Sequence, residues 1–86
     1  MIVGLNLRVE HEGRQYLVQV EDLGEARACF EVLVHEGGGI VWSKQVGYQE
    51  ILDQNLPRSE QDDAVRSSME KVLHTAATAI ARGKLQ

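Results

Sequence analysis

The sequence predicts an α+β domain: a four-stranded antiparallel meander followed by one long C-terminal helix. Three observations lead there. Apolar and polar residues alternate with period two through the first half. The gaps between the alternating segments are short and contain glycine, as hairpin turns do. After Pro57 the apolar residues recur at helical spacing instead.

The first strand is read from Val3, Leu5, Leu7 and Val9, which alternate with Gly4, Asn6, Arg8 and Glu10. His11-Glu12-Gly13-Arg14 supplies the turn. A second strand runs over about 15–21, with Tyr16, Val18 and Val20 on one face. In Asp22-Leu23-Gly24-Glu25 the aspartate can bond the backbone two residues on, and glycine accepts a positive φ. The third strand covers about 27–35, with Ala28, Phe30, Val32 and Val34 facing one way and Cys29, Glu31, Leu33 and His35 the other. Glu36 and three glycines break it, and a fourth strand follows over about 40–46. Consecutive strands joined this tightly pair antiparallel, because parallel pairs need long crossovers.

The whole chain, 1–86, is thus one domain: sheet over about 2–46, a connection over 47–58 and a helix over about 60–82. Tyr48 to Leu52 is read as a helical turn or a short edge strand. Ser59 is the expected helix cap, with Asp62 three residues on. Glu60, Asp62 and Asp63 at the start, and Arg82 and Lys84 at the end, suit the helix dipole. Val65, Met69, Val72, Leu73, Ala76 and Ile80 form the apolar stripe, and Gly83 is the expected stop.

Composition narrows the functional classes. A net charge of −4 with scattered basic residues argues against a surface for nucleic-acid phosphates. Cys29 is the only cysteine, so no intrachain disulfide forms, which fits a reducing cytoplasm. The first eight residues lack the pattern of a secretory signal, and no apolar run approaches the ~18 residues of a membrane span.

Strands ~4.8 Å apart make a four-stranded sheet ~15–20 Å wide, whereas one helix is ~10 Å across. One helix therefore leaves sheet surface bare. Leu17, Leu33, Cys29 and Val41 fall out of phase with the main core face. Apolar residues facing away from the core mark a contact with another chain, so a two-fold homodimer is expected. Its candidate interface residues are Leu17, Leu33, Val41, Trp42 and Tyr48. The competing arrangement folds the connection around Ile51 and Leu52 back over the second face.

The chemistry-bearing residues form no recognisable motif. His11, His35 and His74 lack ligand spacing, and His11 and His35 would meet only if the first and third strands adjoined. Glu21 and Asp22 point to opposite faces of a strand. Gly37-Gly38-Gly39 precedes a strand, whereas phosphate cradles precede helices. Cys29 has no nearby His or CxxC partner and reads as a buried structural thiol. No cofactor, metal or catalytic group is implied.

Val18-Gln19-Val20-Glu21-Asp22-Leu23-Gly24, then His35-Glu36-Gly37-Gly38 with Ile40, then Tyr48, resembles a pattern found in small uncharacterised bacterial proteins. There a Gln-x-Glu-Asp-x-Gly strand and turn precedes a Gly-Gly hairpin, a tyrosine and a C-terminal helix. The resemblance spans most of the chain and implies a fold but no chemistry. The order of four strands and a helix is also similar, at the level of fold, to PUR-type nucleic-acid-binding repeats, which pair into dimers. This chain differs from those in being acidic and poor in aromatics.

The expected function is a homodimeric protein-interaction module without catalytic activity. The alternative is a single-stranded nucleic-acid binder using the sheet face with Trp42, Arg8, Arg27 and Lys44. A small-molecule or metal-binding regulator is the third reading, and only the histidines and glutamates speak for it.

Overall fold

The computed structural model describes residues 4–84. Ile2 and Val3, which the alternation assigns to the first strand, lie outside the described residues. The elements are β1 (Leu5–His11), β2 (Arg14–Asp22), β3 (Cys29–Glu36), β4 (Gly39–Gly47), α1 (Gln49–Leu52) and α2 (Arg58–Ala81). The four strands form one antiparallel sheet in the order β1-β2-β3-β4, the expected meander.

Two of the turns place their central residues at positive φ, which glycine accepts without strain. Glu12 and Gly13 take φ 51° and 78° between β1 and β2, and Gly37 and Gly38 take 60° and 85° between β3 and β4. Two left-handed residues in a two-residue loop match the twist of the flanking strands. The β2–β3 connection is longer. Asp22 Oδ1 accepts the Gly24 N–H at 3.0 Å, and the Ala28 N–H donates to the Gly24 carbonyl at 2.9 Å.

Register fixes which side chains share a face. Leu7, Val18, Val34 and Trp42 lie in one row across the sheet, and Leu5, Val20, Val32 and Lys44 in the next. Both rows face α2. Val18, Val20, Phe30, Val32 and Val34 are fully buried against Val65, Met69, Leu73, Ala76 and Ile80. All five helix residues belong to the expected stripe. Val72, its sixth member, is half-buried on the flank.

Helix α2 begins at Arg58, earlier than expected, and Ser59 does not cap it. Pro57 occupies the cap position with φ −53°, and its own side chain makes no bond to the free N–H groups. The Pro57 carbonyl instead accepts the Gln61 N–H at 2.9 Å, the first bond of the helix. Proline suits an entry because its φ is already near the helical value. At the other end, Gly83 takes φ 67°. Its N–H donates to the Ile80 carbonyl at 2.9 Å, and the Lys84 N–H donates to the Ala79 carbonyl at 2.8 Å. That bond pair is a Schellman stop, and it turns the chain back alongside the last helical turn.

Tyr48 to Leu52 resolves as a helical turn, α1, which packs beside α2. Ile51 and Leu52 join the edge of the core. The connection therefore stays on the helix side, and the second sheet face is left uncovered among the described residues.

Candidate docking groove and free sheet edge

Helix α2 packs chiefly over β1 and β2 and lies away from β4. A helix ~10 Å across covers about half of this sheet, and the eccentric placement concentrates the uncovered half on one side. Between α2 and β4 runs an open hollow of about 540 Å³, lined by Trp42, Lys44, Val46, Lys71, Val72, Thr75, Ala76, Ala79 and Lys84. Its floor is apolar and no Asp or Glu lines it. A second hollow of about 320 Å³ continues toward the end of α2, lined by Tyr16, Val41, Trp42, Ile80 and Gly83 with His11, Glu12 and Glu36.

The two sheet edges differ in chemistry. β1 carries Arg8 and Glu10 and ends at His11. β4 is nine residues long and carries one charge, Lys44. Edge strands expose unpaired N–H and C=O groups, and charged residues are one of the devices that discourage pairing there. Ile40 and Val41, at 58% and 52% exposure, are the exposed large hydrophobics among the described residues, and both are on β4.

A register shift between Val34 and His35 sets His35 opposite Ile40 and Val34 opposite Trp42, so Val41 is left as the extra residue. Such a bulge breaks the two-residue period. Ile40 consequently joins the open face in the row Arg8, Leu17, His35. Val41 lines the helix-side hollow, whereas simple alternation places it on the second face with Leu17 and Leu33.

The expected interface residues thus fall in three places. Leu17 and Leu33 are half-buried on the open face, next to His35 and Gln19. Val41 and Trp42 come together on the helix side of β4. Tyr48, 3% exposed, is part of the core. Its ring stacks beside Phe30 with centroids 6.3 Å apart. Its hydroxyl donates to Asp22 Oδ1 at 2.6 Å. Burial, with the Asp22 carboxylate beside it, raises the Tyr48 pKa far above the ordinary phenol value.

A smaller hollow of about 100 Å³ adjoins that pair at the start of α2. There Glu25 accepts hydrogen bonds from Arg58, at 2.8 Å, and from Gln61. The Arg58 bond, then the Gln61 bond, holds the Glu25 carboxyl below its usual range, and the same contact raises Arg58. These bonds tie the β2–β3 connection to the first turn of α2.

The remaining candidates are dispersed. His35 Nε2 lies 2.7 Å from Gln19 Oε1, and His11 pairs with Glu12 at 3.5 Å and sits against Gly83. With β2 between them, β1 and β3 do not adjoin. Among the described residues no group of three His, Cys, Asp or Glu is placed to hold a metal. Cys29 is half-buried at the start of β3. The residues of the nucleic-acid alternative are split: Trp42 and Lys44 face the helix, Arg8 the opposite side, and Arg27 lies in a turn.

Sequence reasoning missed Val46, Lys71, Thr75, Ala79 and Lys84 as one surface with Trp42. The available signal was the lysines, of which the chain has only three, and the position of Val72 at the margin of its stripe. Among the described residues no helix is long and apolar enough to cross a membrane. No family model, curated protein or solved structure matches the chain.

Proposed function

We propose that this chain is a non-catalytic protein-interaction module of the cytoplasm, and that it acts as a homodimer joined through β4. The observation that carries the reading is the unequal pair of edges: a nine-residue strand with one charge and two exposed aliphatic side chains, opposite an edge guarded by Arg8 and Glu10. Antiparallel pairing of β4 with its twin about Ser43 sets each Lys44 opposite the partner's Trp42, and the bulge at Val41 ends the regular ladder on either side of that central stretch. A ladder about Lys44 would instead oppose two like charges. The pairing leaves the α2–β4 groove facing outward to receive a protein partner.

Sedimentation across a concentration series tests the dimer, and two variants test its location. Ser43→Cys in a Cys29→Ser background is expected to form an intermolecular disulfide, because facing strand residues lie ~4.5–5.5 Å apart. Ser43→Lys with Gln45→Lys is expected to yield a folded monomer. A monomeric parent protein would overturn the reading. So would a dimer that ignores both changes, which would move the contact to Leu17 and Leu33 on the open face.

A further inference from the structure

The α2–β4 groove has a charge pattern at odds with the rest of the chain. The protein is acidic, with 13 Asp and Glu against nine Lys and Arg. Yet all three of its lysines, Lys44, Lys71 and Lys84, line this one hollow, and no carboxylate does. None of the three ammonium groups has an ion-pair partner among the described residues. Between them lies an apolar floor built from Trp42, Val46, Val72, Ala76 and Ala79. The Schellman stop at Gly83 is what brings Lys84 back to the groove wall.

The geometry points to an acidic amphipathic helix of another protein as the occupant of this groove. Apolar side chains at helical spacing would fill the floor, and the flanking carboxylates would meet the three lysines. Small residues at Ala76 and Ala79 admit a close backbone approach. From Lys71 to the end of α2 at Ala81 the wall runs ~15 Å, about ten residues of helix. A second copy fits badly, since two-fold packing of groove on groove gathers six lysines at one axis. Single-stranded nucleic acid fits less well than the peptide, because the groove offers one aromatic ring and no arginine.

This inference rests on the proposed partner-binding role and names the partner's chemistry, but it does not need the β4 dimer. Trp42 is the only tryptophan and lines the groove, so its fluorescence reports occupancy. The probe is a peptide of about 14 residues with leucines at helical spacing and glutamates elsewhere. Titration of the intact protein is expected to shift Trp42 emission saturably, with affinity falling as salt rises. Lys44→Gln, Lys71→Gln and Lys84→Gln together are expected to weaken binding by about tenfold. All three side chains are exposed, so the fold is kept, and circular dichroism checks it.

A matching peptide with lysine for glutamate, and an oligothymidylate, serve as controls. Equal binding of the lysine peptide, full binding by the triple variant, or preference for the oligothymidylate would overturn the inference. Sedimentation of the same samples separates the two readings. A dimer that ignores the acidic peptide defeats the partner class alone, and a monomer that binds it defeats the dimer alone.

Discussion

Replacing Tyr48 with Phe removes one oxygen from the core and isolates one hydrogen bond. The ring keeps its place beside Phe30. What is lost is the 2.6 Å bond from the hydroxyl to Asp22 Oδ1, the same oxygen that accepts the Gly24 N–H and shapes the β2–β3 connection. A hydrogen bond to a charged group contributes ~1.5–3 kcal/mol. Asp22 is half-exposed, so water compensates part of the loss, and the lower figure of about 1.5 kcal/mol applies. In a domain of this size that lowers Tm by about 6–12 °C.

The pH dependence sharpens the test. The folded Tyr48 pKa lies above the unfolded one, so the folded state holds this proton more tightly. The associated stability is complete below the unfolded phenol pKa of about 10 and is lost as pH rises beyond it. The gap between parent and Tyr48→Phe should therefore be widest near neutral pH and close above about pH 10. Thermal melts by circular dichroism at neutral and alkaline pH measure it. A variant as stable as the parent at neutral pH, or a gap that stays constant through pH 11, would refute the account.

Met69 is fully buried against the sheet, and Met69→Ala should cost about 2–5 kcal/mol; urea denaturation followed by Trp42 emission measures the loss. Gly83→Ala places a Cβ at positive φ, 3.3 Å from His11 Nε2, and should cost about 1 kcal/mol. The same melts read that loss, which a conformationally relaxed C-terminus would not show.

The strands and their order were legible because two hairpin turns carry Gly13 and Gly37-Gly38 where left-handed backbone is needed, and because the alternation holds through β1, β2 and β3. The helix stripe was equally plain, and only its start shifted, since Pro57 itself serves as the entry. Two features were not legible. The bulge exchanges the facing of Ile40 and Val41, and nothing in a period-two count signals an inserted residue. The lateral position of α2 depends on how Met69, Leu73 and Ala76 settle among Val18, Val20 and Val32, a matter of shape rather than pattern. The groove and its three lysines follow from that position.

The inequality of the two edges bears on how far self-association can proceed. In the proposed dimer, joining β4 to β4 would consume the inviting edge of both molecules and leave each β1, with Arg8 and Glu10, as the rim of the joined sheet. Growth then terminates at two. Had both edges been equally bare, head-to-tail addition of β1 onto β4 would have no natural end and would run on as a filament. In the proposed dimer, two charged residues on the first strand would separate a discrete particle from a fibre.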